Sequence, residues 1–382
     1  EDHSADAWAK MVDDLLERPE HGERWGRQWM DVWRYSDWSG WGDKIRYSRK
    51  HIWRWRDWII DSVNTDKGYD QMILEMLAAD EVSPEDPSSL RATGFLARNW
   101  YKFDRNVWLD DTVEHTAKAF LGITLNCCRC HDHKYDPISQ KEYYGFRAIF
   151  EPYDVRTDRI PGELDVEKDG LPRVHDAKPD AKTFFFERGD PKRARSDESL
   201  NPDVPSVVKG PSFEAEKVLL PVLAYYPALR EHVIEDFRDK RRNDLLAAEN
   251  EYSGARVAFL KAKFGIARKD ESIVVSDAEK GKKAEESGDE TSPPEKSSTR
   301  EDSKIRKKLA RAKLQLARKR LLARKVHLEE TNARIAAEKH KHGLADHVAE
   351  KESNATIAYG HLSSVAATLQ RSFKTASAAE KL

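Results

Sequence analysis

Cysteine is scarce and confined: the 382-residue chain has three, Cys127, Cys128 and Cys130, all in one short segment. A disulfide framework spread over the fold is therefore excluded, and whatever the thiols do, they do together. No run of about 18 apolar residues occurs, so nothing reads as a membrane span. Neither sign of charge dominates, with 66 Lys and Arg against 68 Asp and Glu and a formal net charge of −2, so no global field points to nucleic acid or an anionic membrane. The chain opens at Glu1 without the charged leader and apolar core of a secretory signal, which reads as a fragment or a processed form. There is no P-loop, no G-x-S-x-G, and no G-x-G-x-x-G after a strand. Tryptophan is missing from the entire stretch after Trp108, although the chain holds 11 of them. With 39% hydrophobic and 35% charged residues, the composition supports two or three soluble domains carrying much solvated surface.

What is present is chemically sharpest between Leu125 and Ile138, L-N-C-C-R-C-H-D-H-K-Y-D-P-I. Cys127, Cys130 and His131 form C-x-x-C-H, the spacing of covalent c-type haem attachment. Two thiols so spaced reach two vinyl groups of one porphyrin, and the histidine that follows can ligate the iron from the same face. Haem c is the first expectation, with His131 as the axial ligand. A zinc or other metal site, or a thiol pair, are the alternatives that the same donors admit. Cys128 is an extra thiol that competes for either role. Asp132, His133 and Asp136 add nitrogen and oxygen donors: they read as groups that orient His131 or shape the turn at Asp136–Pro137, with His133 kept as a further candidate metal ligand. His115 is a candidate sixth iron ligand, set against the plainer reading of a surface or core histidine.

Aromatic patterning marks the core. Trp25, Trp29 and Trp33 fall at helical spacing and predict one buried stripe. Trp38 and Trp41 sit in a glycine-containing turn, and Trp53, Trp55 and Trp58 cannot all share one face. Helices are expected over Asp70–Asp80, over Asp110–Leu121 with Val113, Ala117 and Phe120 on one side, and over Gln140–Phe150 with Tyr143, Tyr144, Phe146 and Phe150 as apolar surface. The adjacent acids Asp13–Asp14 and Asp110–Asp111 read as helix starts rather than as a glycosidase pair.

Three ordered segments carry a family resemblance: H-G-E-R-W-G-R-Q-W-M-D-V-W-R-Y-S-D, W-R-W-R-D-W-I-I-D-S-V-N, and G-I-T-L-N-C-C-R-C-H-D-H-K-Y-D-P-I-S-Q-K-E-Y-Y. From about Trp8 to Tyr153 the chain resembles the domain of unknown function 1549. The resemblance implies large, exported planctomycete proteins in which this domain follows a cytochrome c domain and precedes a second conserved domain. It also implies that Cys127, Cys130, His131, His133 and Asp136 stand in the family's C-x-x-C-H-x-H-K-Y-D-P segment. Cys128 departs from the family's usual small residue, and His115 from its usual threonine or polar residue.

Beyond 155 the sequence predicts an extended connector over 156–215 with a minor strand at Thr183–Phe186. Arg188, Asp190 and Lys192 there read as a charged turn rather than substrate contacts. Leu245, Ala248, Tyr252, Ala255, Phe259 and Ala262 space as a coiled-coil seam within 216–265. Leu314, Leu321, Leu328 and Ile335 repeat every seven residues within 304–343. A polar linker is expected at 266–303, and a further helix at 344–382. The expected fold is mainly α: a compact Trp-rich helical domain over 1–155, an irregular connector with minor β, and an antiparallel, intramolecular coiled-coil hairpin whose basic run is a solvated face rather than a nucleic-acid patch.

Three functions follow as expectations. One is a periplasmic or exported c-type haem protein acting in electron transfer, or in oxidation of an extracellular, polysaccharide-derived substrate, with a cytochrome c domain or other redox partner. A second is a non-catalytic scaffold with a Cys/His zinc or thiol site and coiled-coil docking. The third is a carbohydrate-directed module, suggested by the tryptophans and by the sugar-binding domains that accompany such proteins.

Overall fold

The computed structural model describes residues 4–36, 50–208, 218–264 and 300–344. The turn with Trp38 and Trp41, the linker over 266–299 and the last helix beyond residue 344 lie outside the described residues. The chain is mainly helical, with two small antiparallel sheets, and divides into two units, Glu1–Asp236 and Phe237–Leu382.

In the first unit, α1 (Ala7–Glu17) buries no residue and α5 (Pro87–Leu90) places Leu90 in a small cluster with Ala79 and Leu171, while α2 (Pro19–Val32), α3 (Trp53–Asn64), α4 (Tyr69–Val82), α6 (Gly94–Ala97), α7 (Arg105–Thr116) and α8 (Gln140–Ala148) surround an aromatic core. Trp33, Trp55, Trp58 and Trp108 are each at most 1% exposed, and rings of this size dominate the burial term. The helical stripe expected on α2 is graded rather than uniform. Trp33 is buried, Trp29 stacks on it with ring centroids 5.0 Å apart, and Trp25 stays in solvent. On α3, Trp55 and Trp58 point inward while Trp53 lies under the Arg54 guanidinium, which resolves the spacing conflict among the three. Helices α2 and α3 approach closely at Gly22: its N–H donates to Asn64 Oδ1 at 2.7 Å, and a Cβ there would sit 2.5 Å from that side chain.

Helix α7 corrects one expectation. It starts at Arg105, with Asp104 as N-cap accepting from Asn106 N–H at 2.9 Å. Asp110 therefore lies inside the helix rather than at its start. An acidic pair favours the first turn only when no earlier cap competes, and Asp104 supplies one. The Asp13–Asp14 pair likewise falls within α1, not at its first turn. Helix α8 is fixed by a capping box in which Ser139 and Glu142 bond each other's backbone N–H groups. Tyr143, Tyr144, Phe146 and Phe150 are buried there as the sequence predicts.

The expected connector folds as two hairpins. Strand β1 (Tyr153–Asp158) pairs antiparallel with β2 (Leu171–Asp176), Tyr153 facing Asp176 and Asp158 facing Leu171. Strand β3 (Thr183–Phe186) pairs with β4 (Ala194–Leu200), with a register shift between Phe184 and Phe185. Phe185 and Phe186 pack on the core, their rings 5.6 and 5.2 Å from Tyr144. Charges are buried beneath these strands. Asp158 accepts from Arg156 at 2.7 Å and lies 3.7 Å from both Arg173 and Arg230. Asp80, two residues beyond a non-helical Ala78 in α4, is fully buried, and neither carboxyl oxygen has a hydrogen-bond partner among the described residues.

Past α9 (Val222–Tyr225) run α10 (Glu231–Phe264) and α11 (Arg300–Lys341). The first long helix thus begins later than residue 216, and residues 300–303 belong to α11 rather than to a linker. In the second unit these two helices lie antiparallel. Arg320 pairs with Glu251, Arg324 with Asp244 at 3.1 Å and Lys325 with Glu249 at 4.0 Å, while Arg238 reaches Asn332 at 3.4 Å. Ala248, Leu316 and Ala317 are the buried residues of this contact, and Leu314, Leu321, Leu328 and Ile335 are half-buried. Among the described residues no helix is long and apolar enough to cross a membrane.

Candidate functional site

The cysteine segment hangs between α7 and α8. After α7 a π turn (Ala117–Leu121) ends at Gly122, whose φ of +66° is left-handed and lets the chain reverse. A 3₁₀ turn over Asn126–Arg129 follows. With three residues per turn, positions i and i+3 eclipse. Leu125 and Cys128 therefore share the inward face and are fully buried, whereas Cys127 is exposed and Cys130 half-buried. Ile138, also buried, closes the far end, and His133 N–H donates to its carbonyl at 2.8 Å.

All three thiols are free. Burial pushes the Cys128 thiol up to about 11, and its sulfur faces the Ile138 carbonyl at 3.7 Å. The competitor that the sequence offers is thereby a core residue, sequestered by the very spacing that exposes Cys127.

The two histidines of the segment differ in what they leave open. His131 is exposed; its Nδ1–H donates to the Asp132 carbonyl at 2.7 Å, which leaves the lone pair on Nε2 toward solvent. His133 turns inward: Nδ1 accepts the Asp136 N–H at 2.9 Å, with the Asp136 carboxylate 3.1 Å away, and Nε2–H faces Thr124 Oγ1 at 3.4 Å. His133 and Asp136 thus hold the loop's shape. Asp132 orients His131 through its backbone, while its carboxylate accepts Gln140 N–H at 2.7 Å at the start of α8. His115 is engaged at Nδ1 by the Asn99 amide at 2.7 Å, and burial, reinforced by Arg98, lowers it to about 4. Among the described residues, no three His, Cys, Asp or Glu side chains come together to hold a metal ion.

Residues that the sequence offered only as a helix start or as apolar surface, together with Arg129 and Arg147, fix the segment in place. Asp110 is the hub: it accepts from Tyr143 OH at 2.7 Å, Arg129 Nη1 at 2.8 Å and Arg147 Nη1 at 3.1 Å. The Cys130 sulfur beside it and the Asp110 carboxylate hold the Arg129 guanidinium still more firmly protonated. The Arg129 carbonyl accepts from Gln140 Nε2 at 2.8 Å and Tyr144 OH at 3.0 Å. Burial, with Asp110 nearby, raises the Tyr143 phenol above its ordinary range, so it serves as a donor only. Burial alone would raise Glu142, but hydrogen bonds from Ser139 and Ser206 hold it down to about 2. The partners of Asp110 lie 19 to 37 positions away, so no local spacing announces the hub.

The turn of the β3–β4 hairpin comes up against Cys130. Arg188 and Gly189 both take left-handed backbone, φ +54° and +73°, and a Cβ on Gly189 would stand 2.7 Å from Cys130 Sγ. Asp190 caps the next turn by accepting Lys192 N–H at 3.0 Å, so this charged stretch is turn chemistry, as its composition predicts.

Residues 1–155 match the family PSCyt2, protein of unknown function (DUF1549). The resemblance carried by the three motifs is thus shown for the segment that holds the aromatic core and the cysteines. The DUF1549 match stops inside β1, before the hairpin whose turn meets Cys130. No curated protein and no solved structure matches the chain.

Proposed function

We propose that this chain binds haem c through Cys127, Cys130 and His131 and serves electron transfer in an exported, periplasmic setting. The observation that carries the reading is the state of His131. Its Nδ1–H is bound to a backbone carbonyl at 2.7 Å, so the nitrogen left free is the one an imidazole uses when the other is tied back in this way. The donor set fits the group. Cys127 within the 3₁₀ turn and Cys130 at its end carry free, at least partly exposed thiols, the third cysteine is buried, and the histidine next to Cys130 is exposed. Bound haem would supply a one-electron iron couple. The chain's own part is to hold two sulfurs and one nitrogen at fixed positions: Asp110 and Arg129 brace the turn, Asp132 sets the tautomer of His131, and Cys128 anchors the turn in the core. Oxidation of an extracellular, carbohydrate-derived substrate is the catalytic form of the same proposal; a separate cytochrome c domain is the redox partner it calls for.

The test is a pyridine haemochrome spectrum of protein produced with a cytochrome c maturation system, beside Cys127→Ala and Cys130→Ala. Covalent haem lost in both variants supports the reading. A colourless protein refutes it, and stoichiometric zinc would put the scaffold reading in its place. That second reading, in which α10 and α11 form a coiled-coil docking hairpin, is favoured by the cross-helix ion pairs of Arg320 and Arg324.

A further inference from the structure

Between α10 and α11 the packing fails to close. A cleft of about 630 Å³ opens where α10 presents Gly254, Ala255 and Ala258 to Leu309 and Leu316 of α11. The seam runs out of volume there because Gly254, Ala255 and Ala258 are all small; a Cβ on Gly254 would meet nothing within 4 Å. One wall of the cleft is cationic. Arg306, Lys313 and Arg320 line it at intervals of seven residues, so they stand in one column along α11, about 10.5 Å apart at 1.5 Å rise per residue. Arg320 is paired with Glu251 of α10. Arg306 and Lys313 make no ion pair among the described residues.

We infer that this cleft is a docking groove for an acidic amphipathic helix. The apolar floor is formed by side chains on two helices, which suits a third helix inserting residues at i, i+3 or i+4, and i+7. The cationic column selects the charge: carboxylates seven residues apart on the incoming helix meet Arg306 and Lys313 in register. A nucleic acid would use the column but not the floor, since phosphate contacts need charge and no apolar depth. The inference does not depend on haem.

The probe is a fluorescein-labelled synthetic helix with Leu at i, i+4 and i+7 and Glu flanking at i+1 and i+8, titrated with the full chain by anisotropy. The expected result is saturable binding, weakened at least tenfold by Gly254→Leu, which fills the groove while improving helix propensity and so leaves the fold intact. Arg306→Glu with Lys313→Glu is expected to reverse the preference toward the same peptide carrying Lys in place of Glu. Equal binding of the Lys peptide by the unaltered chain, unchanged binding by Gly254→Leu, or tighter binding of a DNA duplex of equal charge would each overturn the proposal.

Discussion

Replacing Asp80 by Asn should flatten part of the chain's stability against pH. Asp80 is fully buried with neither oxygen hydrogen-bonded among the described residues, and burial raises it to about 7, Arg173 opposing and Asp176 and Glu81 adding to the rise. In the unfolded chain the same carboxyl titrates near 3.8. Between these values the folded chain keeps a proton that the unfolded chain has lost, so stability falls as pH climbs from about 4 to 7 and stays low above it. A gap of roughly 3 pH units at about 1.4 kcal/mol each amounts to about 4 kcal/mol. Asparagine keeps the shape without the charge but leaves its amide hydrogens unpaired, a pH-independent cost of about 1–3 kcal/mol. The useful quantity is therefore the difference between the two proteins, measured by urea unfolding at several pH values from 4.5 to 8. It should move in favour of Asp80→Asn by about 1.4 kcal/mol per pH unit up to 7 and then level off. His115 and His175, both lowered to about 4 by burial, pull the other way in the parent, gaining stability as pH rises through 4 to 6.5, and they cancel in the comparison. A difference that stays constant from pH 4.5 to 8 would refute the assignment of a buried, protonated carboxyl.

Three further outcomes follow from the cysteine segment. Alkylation of the folded apo chain, read by mass spectrometry, should modify Cys127 first, Cys130 more slowly and Cys128 only on unfolding; early labelling of Cys128 would contradict its burial. Asp110→Asn should cost about 2 kcal/mol in urea unfolding, because it removes the charged partner of the buried Arg147 Nη1, leaving that side chain to Asn106 and Glu151, and loosens Arg129, and should speed Cys130 alkylation. Gly189→Ala combines left-handed backbone with a contact 2.7 Å from Cys130 Sγ, so it should cost about 1–2 kcal/mol and change the Cys130 rate without touching that of Cys127.

The sequence patterns made part of the aromatic core and α8 legible because both rest on local spacing: Trp29 and Trp33 of the stripe on α2, though not Trp25, and Tyr143, Tyr144 and Phe146 beside a Ser-x-x-Glu cap. Of the hairpins only β3 was legible, as the minor strand expected at Thr183–Phe186. Strand β4 is A-R-S-D-E-S-L, almost wholly exposed and polar, and β2 buries Arg173 against Asp158, so neither carries the alternation by which strands are read. The start of α7 was misplaced because an acidic pair and a single N-cap aspartate look alike until the fold chooses between them. At the site itself, the motif named Cys127, Cys130 and His131, but the separation of Cys128 from its neighbours depends on the 3₁₀ turn, and the bracing by Asp110 spans 19 to 37 positions.

Strand β1 carries a lesson about where this protein can be cut. The DUF1549 match ends at residue 155, midway along a strand that runs from Tyr153 to Asp158 and is zipped to β2. Tyr144, at the heart of the shared segment, is roofed by Phe185 and Phe186, some forty positions further on. What relatives share and what folds are thus different lengths of polypeptide. A fragment trimmed to the shared portion would bare an edge strand and an aromatic wall, and would be found in the insoluble fraction; extending it through Leu200 restores both lids.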